Sequence, residues 1–493
     1  IGIKMSVKIG FKPMPLVIAI ALSVTILLIP TPEGVTDQAW NLLALFVGVI
    51  AAIIGKAMPI GALSILAITL VAVTGITVAD GGSANDAMKD ALSSFANPLI
   101  WLIGVSIMIS RGLLKTGLGA RIGYIFIAIF GKKTLGIGYS LAFSELILAP
   151  VTPSNTARGG AIMHPIMRAI ADSFDSSPSK NTQDTIGKYL ALVNYHSNPI
   201  SSAMFITATA PNPLVVNLIA ETLGSEFRLS WSQWAWAMLI PGLVAFALMP
   251  LVLYFVSPPK IKNTPNAVTF AKAKLSDMGT MSRDEIIMLA IFAVLLLCWA
   301  GVPNLLFNFP INATATAFIG LSLLLLSGVL TWEDVTAEKG AWDTIVWFAA
   351  LIMMATFLNK LGLITWFSSS LETHIASLGL SGLSAGLLLL IAYMYAHYMF
   401  ASTTAHITAM FGAFLSAGVA LGVPPMLFAL LMAAASSIMM TLTHYATGTS
   451  PVIFGSGYTT LPEWWKAGFV MSVVNIIVFT LIGGLWWKVL GYW

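Results

Sequence analysis

Charge is what this sequence has least of. Of its 493 residues only 9% are Asp, Glu, Lys or Arg, while 58% are apolar and the mean hydropathy is +0.89. A water-soluble chain carries about a quarter charged residues, so water is excluded as the solvent for most of this surface. The single cysteine, Cys298, excludes an intramolecular disulfide and a cysteine-based metal cluster. H-E-x-x-H, G-x-S-x-G and paired aspartates within apolar runs are all missing, and Gly455-Ser-Gly457 is too short for a nucleotide loop. Nothing here calls for an enzyme, a metal, a cofactor or a nucleic-acid partner.

What the chain does have is apolar runs of spanning length, each about 20 residues. They are long and unbroken, unlike the short alternating strands of a membrane barrel. The expected fold is therefore an all-α polytopic membrane protein, with membrane lipid as its surroundings. Runs fall near residues 14–30, 39–56, 58–76, 96–115, 188–222, 232–256, 285–303, 312–331, 342–359, 425–455 and 466–490. Two more, 135–171 and 383–421, are interrupted at mid-run by polar residues. With those two as re-entrant hairpins, the total is eleven transmembrane helices. Lys4, Lys8 and Lys12 precede the first run as in a signal peptide. Ile29-Pro-Thr-Pro32 offers no small-residue cleavage site, so a retained first span is expected.

The positive-inside rule orients the chain. With a cytoplasmic N-terminus and an outer C-terminus, the inner segments hold 19 Lys and Arg residues and the outer segments 4, with Arg158 left at membrane depth. A bacterial plasma membrane is the expected location.

The two interrupted runs match each other. Pro153-Ser-Asn-Thr-Ala-Arg158 aligns with Ala401-Ser-Thr-Thr-Ala-His406, Trp101 with Trp347, Lys115-Thr-Gly-Leu118 with Lys360-Leu-Gly-Leu363, and Thr207-Ala-Thr-Ala-Pro211 with Thr447-Gly-Thr-Ser-Pro451. Four matches in one order indicate an internal repeat, and five crossings per copy would invert the second copy. The division is an N-terminal segment and first span (1–38), a first repeat (39–256), a solvated cytoplasmic linker (257–284) and a second repeat (285–493).

Breaks at membrane depth carry the chemistry, because irregular backbone survives there only against protein or a water-filled cavity. They are Pro153 to Thr156, Thr207 to Pro213, Ser402 to Thr404, and Ala446 to Pro451. Broken helices expose N–H groups suited to a carboxylate. Ser154, Asn155, Thr156, Ser402, Thr403 and Thr404 add side-chain donors, and Thr207, Thr209, Pro211, Asn212, Thr447, Gly448 and Thr449 complete the candidate substrate site. Two facing tips of this kind suit a small dicarboxylate. The competing reading is that such hydroxyls bond back to their own helices. His164, His196 and His397 are expected to be packing residues.

With these residues in view, the chain resembles the divalent anion/sodium symporter family. Ser154-Asn155-Thr156 matches its signature, and Ser402-Thr403-Thr404 is a variant of the second copy. Thr209-Ala-Pro-Asn-Pro213, His444-Tyr-Ala-Thr-Gly448 and Phe454-Gly-Ser-Gly457 are similar to its unwound segments. The likeness runs over nearly the whole chain and is strongest to the branch of dicarboxylate exchangers. It implies re-entrant tips gripping C4/C5 dicarboxylates such as succinate, malate, fumarate or 2-oxoglutarate. It also implies a homodimer, with a scaffold domain and a transport domain that moves as an elevator. Thr403 stands where the symporters have asparagine, and Arg158 and His406 follow the two tips at equivalent positions. Together with His444, these two are the expected charge-compensating groups, which would make the protein a sodium-independent exchanger. A sodium-coupled symporter is the alternative.

Overall fold

The computed structural model describes residues 8–493; Lys4 lies outside the described residues. All elements of the described chain are helical apart from one isolated bridge, between Lys133 and Asn263. The first helices are α1 (Pro13–Leu28), α2 (Asp37–Ile54), α3 (Ile60–Thr74), α4 (Ala84–Leu92), α5 (Pro98–Thr116) and α6 (Leu118–Phe130). The first interrupted run follows as α7 (Thr134–Leu148), a 3-10 turn to Val151, a π-turn (Ala157–Met163) and α8 (His164–Ser173). Next come α9 (Gly187–Met204), α10 (Asn212–Leu223), α11 (Trp231–Val256) and α12 (Pro265–Met278). Then α13 (Arg283–Trp299), α14 (Val302–Phe307), α15 (Ala313–Ser327), α16 (Trp332–Ala337), α17 (Lys339–Lys360) and α18 (Leu363–Ser377). The second interrupted run is α19 (Gly382–Tyr395) and α20 (Thr403–Ala420), and the chain closes with α21 (Pro425–Ile438), α22 (Thr449–Phe454), α23 (Leu461–Val478) and α24 (Gly484–Val489).

Eight helical stretches are long and apolar enough to cross a membrane, among them Asp37–Ile54, Pro98–Thr116, Trp231–Val256 and Lys339–Lys360. Large side chains such as Leu326, Phe255 and Phe307 lie exposed, as they would in lipid rather than water. The order of elements after α5 recurs after α17. A long helix, a shorter one, an interrupted run and a broken helix are followed by a helix rich in tryptophan at one end. The last members of the two series meet directly, through Trp486 Nε1 to the Trp236 carbonyl (2.7 Å) and Trp487 Nε1 to the Ala237 carbonyl (2.6 Å).

Outside the expected spans, the stretches 117–134 and 361–382 each hold a helix, α6 and α18. At 13 and 15 residues both are shorter than the roughly 20 that a span needs; α6 packs on α12 and α7, and α18 on α20. The linker is tied down at its start. Lys260 N–H donates to the Thr185 carbonyl (3.0 Å), Thr134 N–H to that of Lys262 (3.1 Å) and Thr264 N–H to that of Lys132 (2.7 Å). These backbone bonds strap the linker across the ends of α6, α7 and α9.

Candidate substrate site between the helix breaks

The four breaks lie at 152–154, 205–211, 400–402 and 442–448. The first three follow the sequence reading within two residues. The fourth begins earlier than read, and Pro451 falls in the first turn of α22, where a proline costs no hydrogen bond. Helix resumes after each break at Asn155, Asn212, Thr403 and Thr449. The first N–H groups of a helix have no intrahelical acceptor. Each resumption therefore presents donors and the positive end of a helix dipole, α22 least because it has only six residues.

These N-termini surround a cavity of about 220 Å³. Asn155, Thr209, Pro211, Ser402, Thr403, Thr404, Thr447 and Gly448 line it, together with Ala210, Ala401 and Trp347. No lining residue is charged. Trp347 was read from the sequence only as a repeat marker; its neighbourhood to the tip depends on α17, distant in sequence. A second cavity, about 630 Å³, shares Ala401 and Ser402 with the first and is bordered by Lys12 and Lys56.

The remaining candidates lie behind this surface. Ser154 accepts from Ala157 N–H (3.2 Å), as Ser402 accepts from Ala405 N–H (3.2 Å), so the two serines cap their helices at equivalent positions. Thr156 receives the Thr449 hydroxyl at 3.5 Å. Thr207 donates to the Pro150 carbonyl and accepts from Trp231 Nε1, and Asn212 Nδ2 donates to the carbonyls of Ser202 (2.7 Å) and Phe205 (2.8 Å). These bonds hold the breaks, and Ser154, Thr156, Thr207, Asn212 and Thr449 are not among the residues that line the cavity.

Arg158 is wholly buried and turned inward. Its Nε donates to Glu145 Oε1 (2.7 Å), its Nη1 to the carbonyls of Thr152 and Ala208 (the latter at 2.6 Å), and its Nη2 to Ser201 Oγ (3.1 Å) and Ser202 Oγ (3.0 Å). All five N–H donors are engaged. Glu145 balances its charge and also accepts from Asn198 Nδ2 (2.8 Å). Asn198 in turn meets Asn155, whose Nδ2 reaches Asn198 Oδ1 and Thr447 Oγ1, each at 3.2 Å. Arg158 is thus a bracket for the first tip, not a free cation facing the cavity.

The second tip has a different bracket. His397 Nε2 lies 2.8 Å from the Ala446 carbonyl, and His397 Nδ1 lies 2.9 Å from His406 Nδ1. His397, expected to be a packing residue, is therefore the partner that sequence reasoning missed. His444 accepts from Trp465 Nε1 (3.0 Å) and does not line the cavity, which removes it from the charge-compensating set. His164 bonds Asn194 (3.0 Å), and His196 packs beside Tyr195 and Trp464.

The family model described as the sodium:sulfate symporter transmembrane region matches residues 12–493. The chain belongs to that family, the divalent anion/sodium symporters. This symporter-family chain is 47% identical to the putative malate transporter YflS of Bacillus subtilis, over 98% of its own length and 97% of that protein. It is 44% identical to the chloroplastic dicarboxylate transporter 1 of Spinacia oleracea, over 98% of its length and 82% of that protein. Family and relatives are transporters rather than enzymes. In fold the chain is similar to the crystal structure of the YdaH transporter of Alcanivorax borkumensis, with a TM-score of 0.56 at 12% identity, covering 88% of this chain and 99% of that one.

Proposed function

We propose that the protein exchanges C4/C5 dicarboxylates across a bacterial plasma membrane without coupling to sodium. The relatives named for malate and dicarboxylate transport support the substrate class. The cavity fits it chemically: hydroxyls, an amide and helix N-termini suit carboxylates, and opposed tips suit two of them.

The observation that carries sodium independence is the occupation of the break carbonyls. In transporters with broken helices, unwound carbonyls coordinate the cation. Here Arg158 donates to Thr152 and Ala208, and His397 lies within hydrogen-bond distance of Ala446. Those oxygens already have donors. Exchange follows from the empty state. Without a ligand the tips would carry their unpaired donors through the barrier, at about 1–3 kcal/mol for each one buried. A second dicarboxylate relieves that cost. The two inverted repeats, the scaffold and elevator-borne transport domains and the homodimer belong to the same proposal, on the recurring element order and the family.

Counterflow in proteoliposomes tests it. Labelled succinate should accumulate against unlabelled internal succinate, malate or 2-oxoglutarate at the same rate in sodium and in choline. Strong uptake into vesicles without internal substrate, driven by a sodium gradient, would sink this reading and favour the symporter.

A further inference from the structure

The two halves of the chain differ at one matched pair of tryptophans. Trp101 and Trp347 hold equivalent places in the repeat, on α5 and α17. An indole N–H donates and never accepts, and a buried one ordinarily finds an acceptor. Trp101 Nε1 donates to the Phe95 carbonyl (2.6 Å). Trp347 Nε1 has no acceptor among the described residues and, unlike Trp464 Nε1, is not sealed in the interior. Helix boundaries explain the difference. α5 starts at Pro98, so Phe95 lies in the turn before it, where a carbonyl is open to a side chain. The residue paired with Phe95 at the same offset of 246 is Ala341, and α17 already begins at Lys339. The Ala341 carbonyl therefore lies inside a helix, where it accepts from the backbone four residues on. The second copy keeps the tryptophan without the acceptor.

We propose that Trp347 is a substrate-binding residue: its indole N–H donates to a carboxylate oxygen of the dicarboxylate, and its ring is the wall that limits the ligand's length. Trp347 is only 9% exposed, and it lines the cavity of about 220 Å³ between the breaks. The lining holds two side-chain nitrogens that can donate, those of Asn155 and Trp347. Asn155 Nδ2 already reaches Asn198 Oδ1 and Thr447 Oγ1, each at 3.2 Å. The Thr403 hydroxyl is turned to the Ala446 carbonyl (3.4 Å). The Trp347 N–H is the nitrogen donor left for a ligand. Every other lining side chain belongs to Asn, Thr, Ser, Pro, Ala or Gly, so the indole is by far the largest and decides how much room remains. Its donor carries no charge, and its ring is rigid with only two side-chain torsions, so little freedom is lost on binding.

This rests on the dicarboxylate reading of the cavity and deepens it. A hydrogen bond to an ionised acceptor is worth more than one to a neutral group, so the N–H contributes affinity for a carboxylate in particular. The two roles of the indole can be separated, because one belongs to a single N–H and the other to the bulk of the ring. Trp101, whose N–H is committed to Phe95, is the internal control.

The test uses full-length protein, with labelled-succinate counterflow in proteoliposomes and succinate binding in detergent measured in parallel. Benzothienylalanine in place of Trp347 keeps the ring and puts a sulfur where the N–H was. It should raise KM and the half-saturating succinate concentration about tenfold or more, and Trp347→Phe should do the same. Trp347→Leu should in addition shift preference at least tenfold from succinate toward adipate, which is two methylenes longer. Trp101→Phe should lower thermal stability and leave KM unchanged. An unchanged KM with benzothienylalanine would overturn the N–H bond, and an unchanged preference in Trp347→Leu would overturn the wall. Should these variants fail to fold, ¹⁵N-indole NMR of the wild type decides: one indole N–H resonance should move downfield with succinate, and none moving would overturn the proposal. Absence of counterflow in the wild type would instead overturn the exchange reading, and the binding titration would still decide Trp347.

Discussion

At the scale of single residues, Arg158 shows how little position along the chain says about what a charge does. An arginine inside an apolar run is functional by default, and its place just after a substrate tip suggested contact with the anion. Its partners say otherwise, because Glu145, two carbonyls and two serines consume every donor. Removing one member of a buried pair leaves the other uncompensated, so Arg158→Gln or Glu145→Gln should each destabilise the protein by about 3–5 kcal/mol. Thermal unfolding in detergent measures this, and the double substitution should recover most of the loss. A double variant no more stable than the singles would contradict the bracket role. The choice between pairing and substrate contact needed the direction of the guanidinium.

At the scale of elements, the tips are N-caps before they are binding loops. Ser154 and Ser402, 248 residues apart, accept from the N–H three residues on. Ser402→Ala should cost about 1 kcal/mol through loss of the cap, and Ser402→Gly only a few tenths. The first tip also meets the fourth break at a glycine. A Cβ on Gly448 would lie 2.6 Å from Thr156 Oγ1. Gly448→Ala should therefore displace the first tip and reduce succinate exchange at least tenfold, while Gly448→Ala with Thr156→Ala regains part of it; an unimpaired Gly448→Ala protein would refute this contact. The overlooked helices carry a related lesson. Lys115-Thr-Gly-Leu118 and Lys360-Leu-Gly-Leu363 were legible as a repeat but not as a stop and restart. Gly117 (φ +78°) and Gly362 (φ +84°) adopt the left-handed conformation that ends α5 and α17 and lets α6 and α18 begin at the next residue.

At the scale of the whole molecule, the neutral cavity opens beside a basic one. Ala401 and Ser402 border both, and Lys12 and Lys56 border the larger of the two. Lysines at a mouth raise the local concentration of an anion and its rate of entry, and salt screens the effect. Lys12→Gln with Lys56→Gln should raise KM for succinate several-fold at low ionic strength and little at high salt, with the maximal rate unchanged. Initial exchange rates over a salt series check this, and a salt-independent KM in the wild type would refute the steering role.

Composition and run length were enough for an all-helical membrane protein, because burying nearly uncharged segments of this size leaves the chain no other solvent. The breaks were legible as well, since proline and hydroxyl clusters interrupt otherwise long apolar runs. Sequence could not sort the polar residues around those breaks. A hydroxyl or guanidinium can serve a ligand or a carbonyl with the same chemistry, and only its orientation decides which. The tertiary structure turned Thr207, Asn212 and Arg158 toward the protein and Thr209, Thr404 and Thr447 toward the cavity. It also brought His397 to His406, a pairing set by the fold of the hairpin tip and absent from any spacing in the chain.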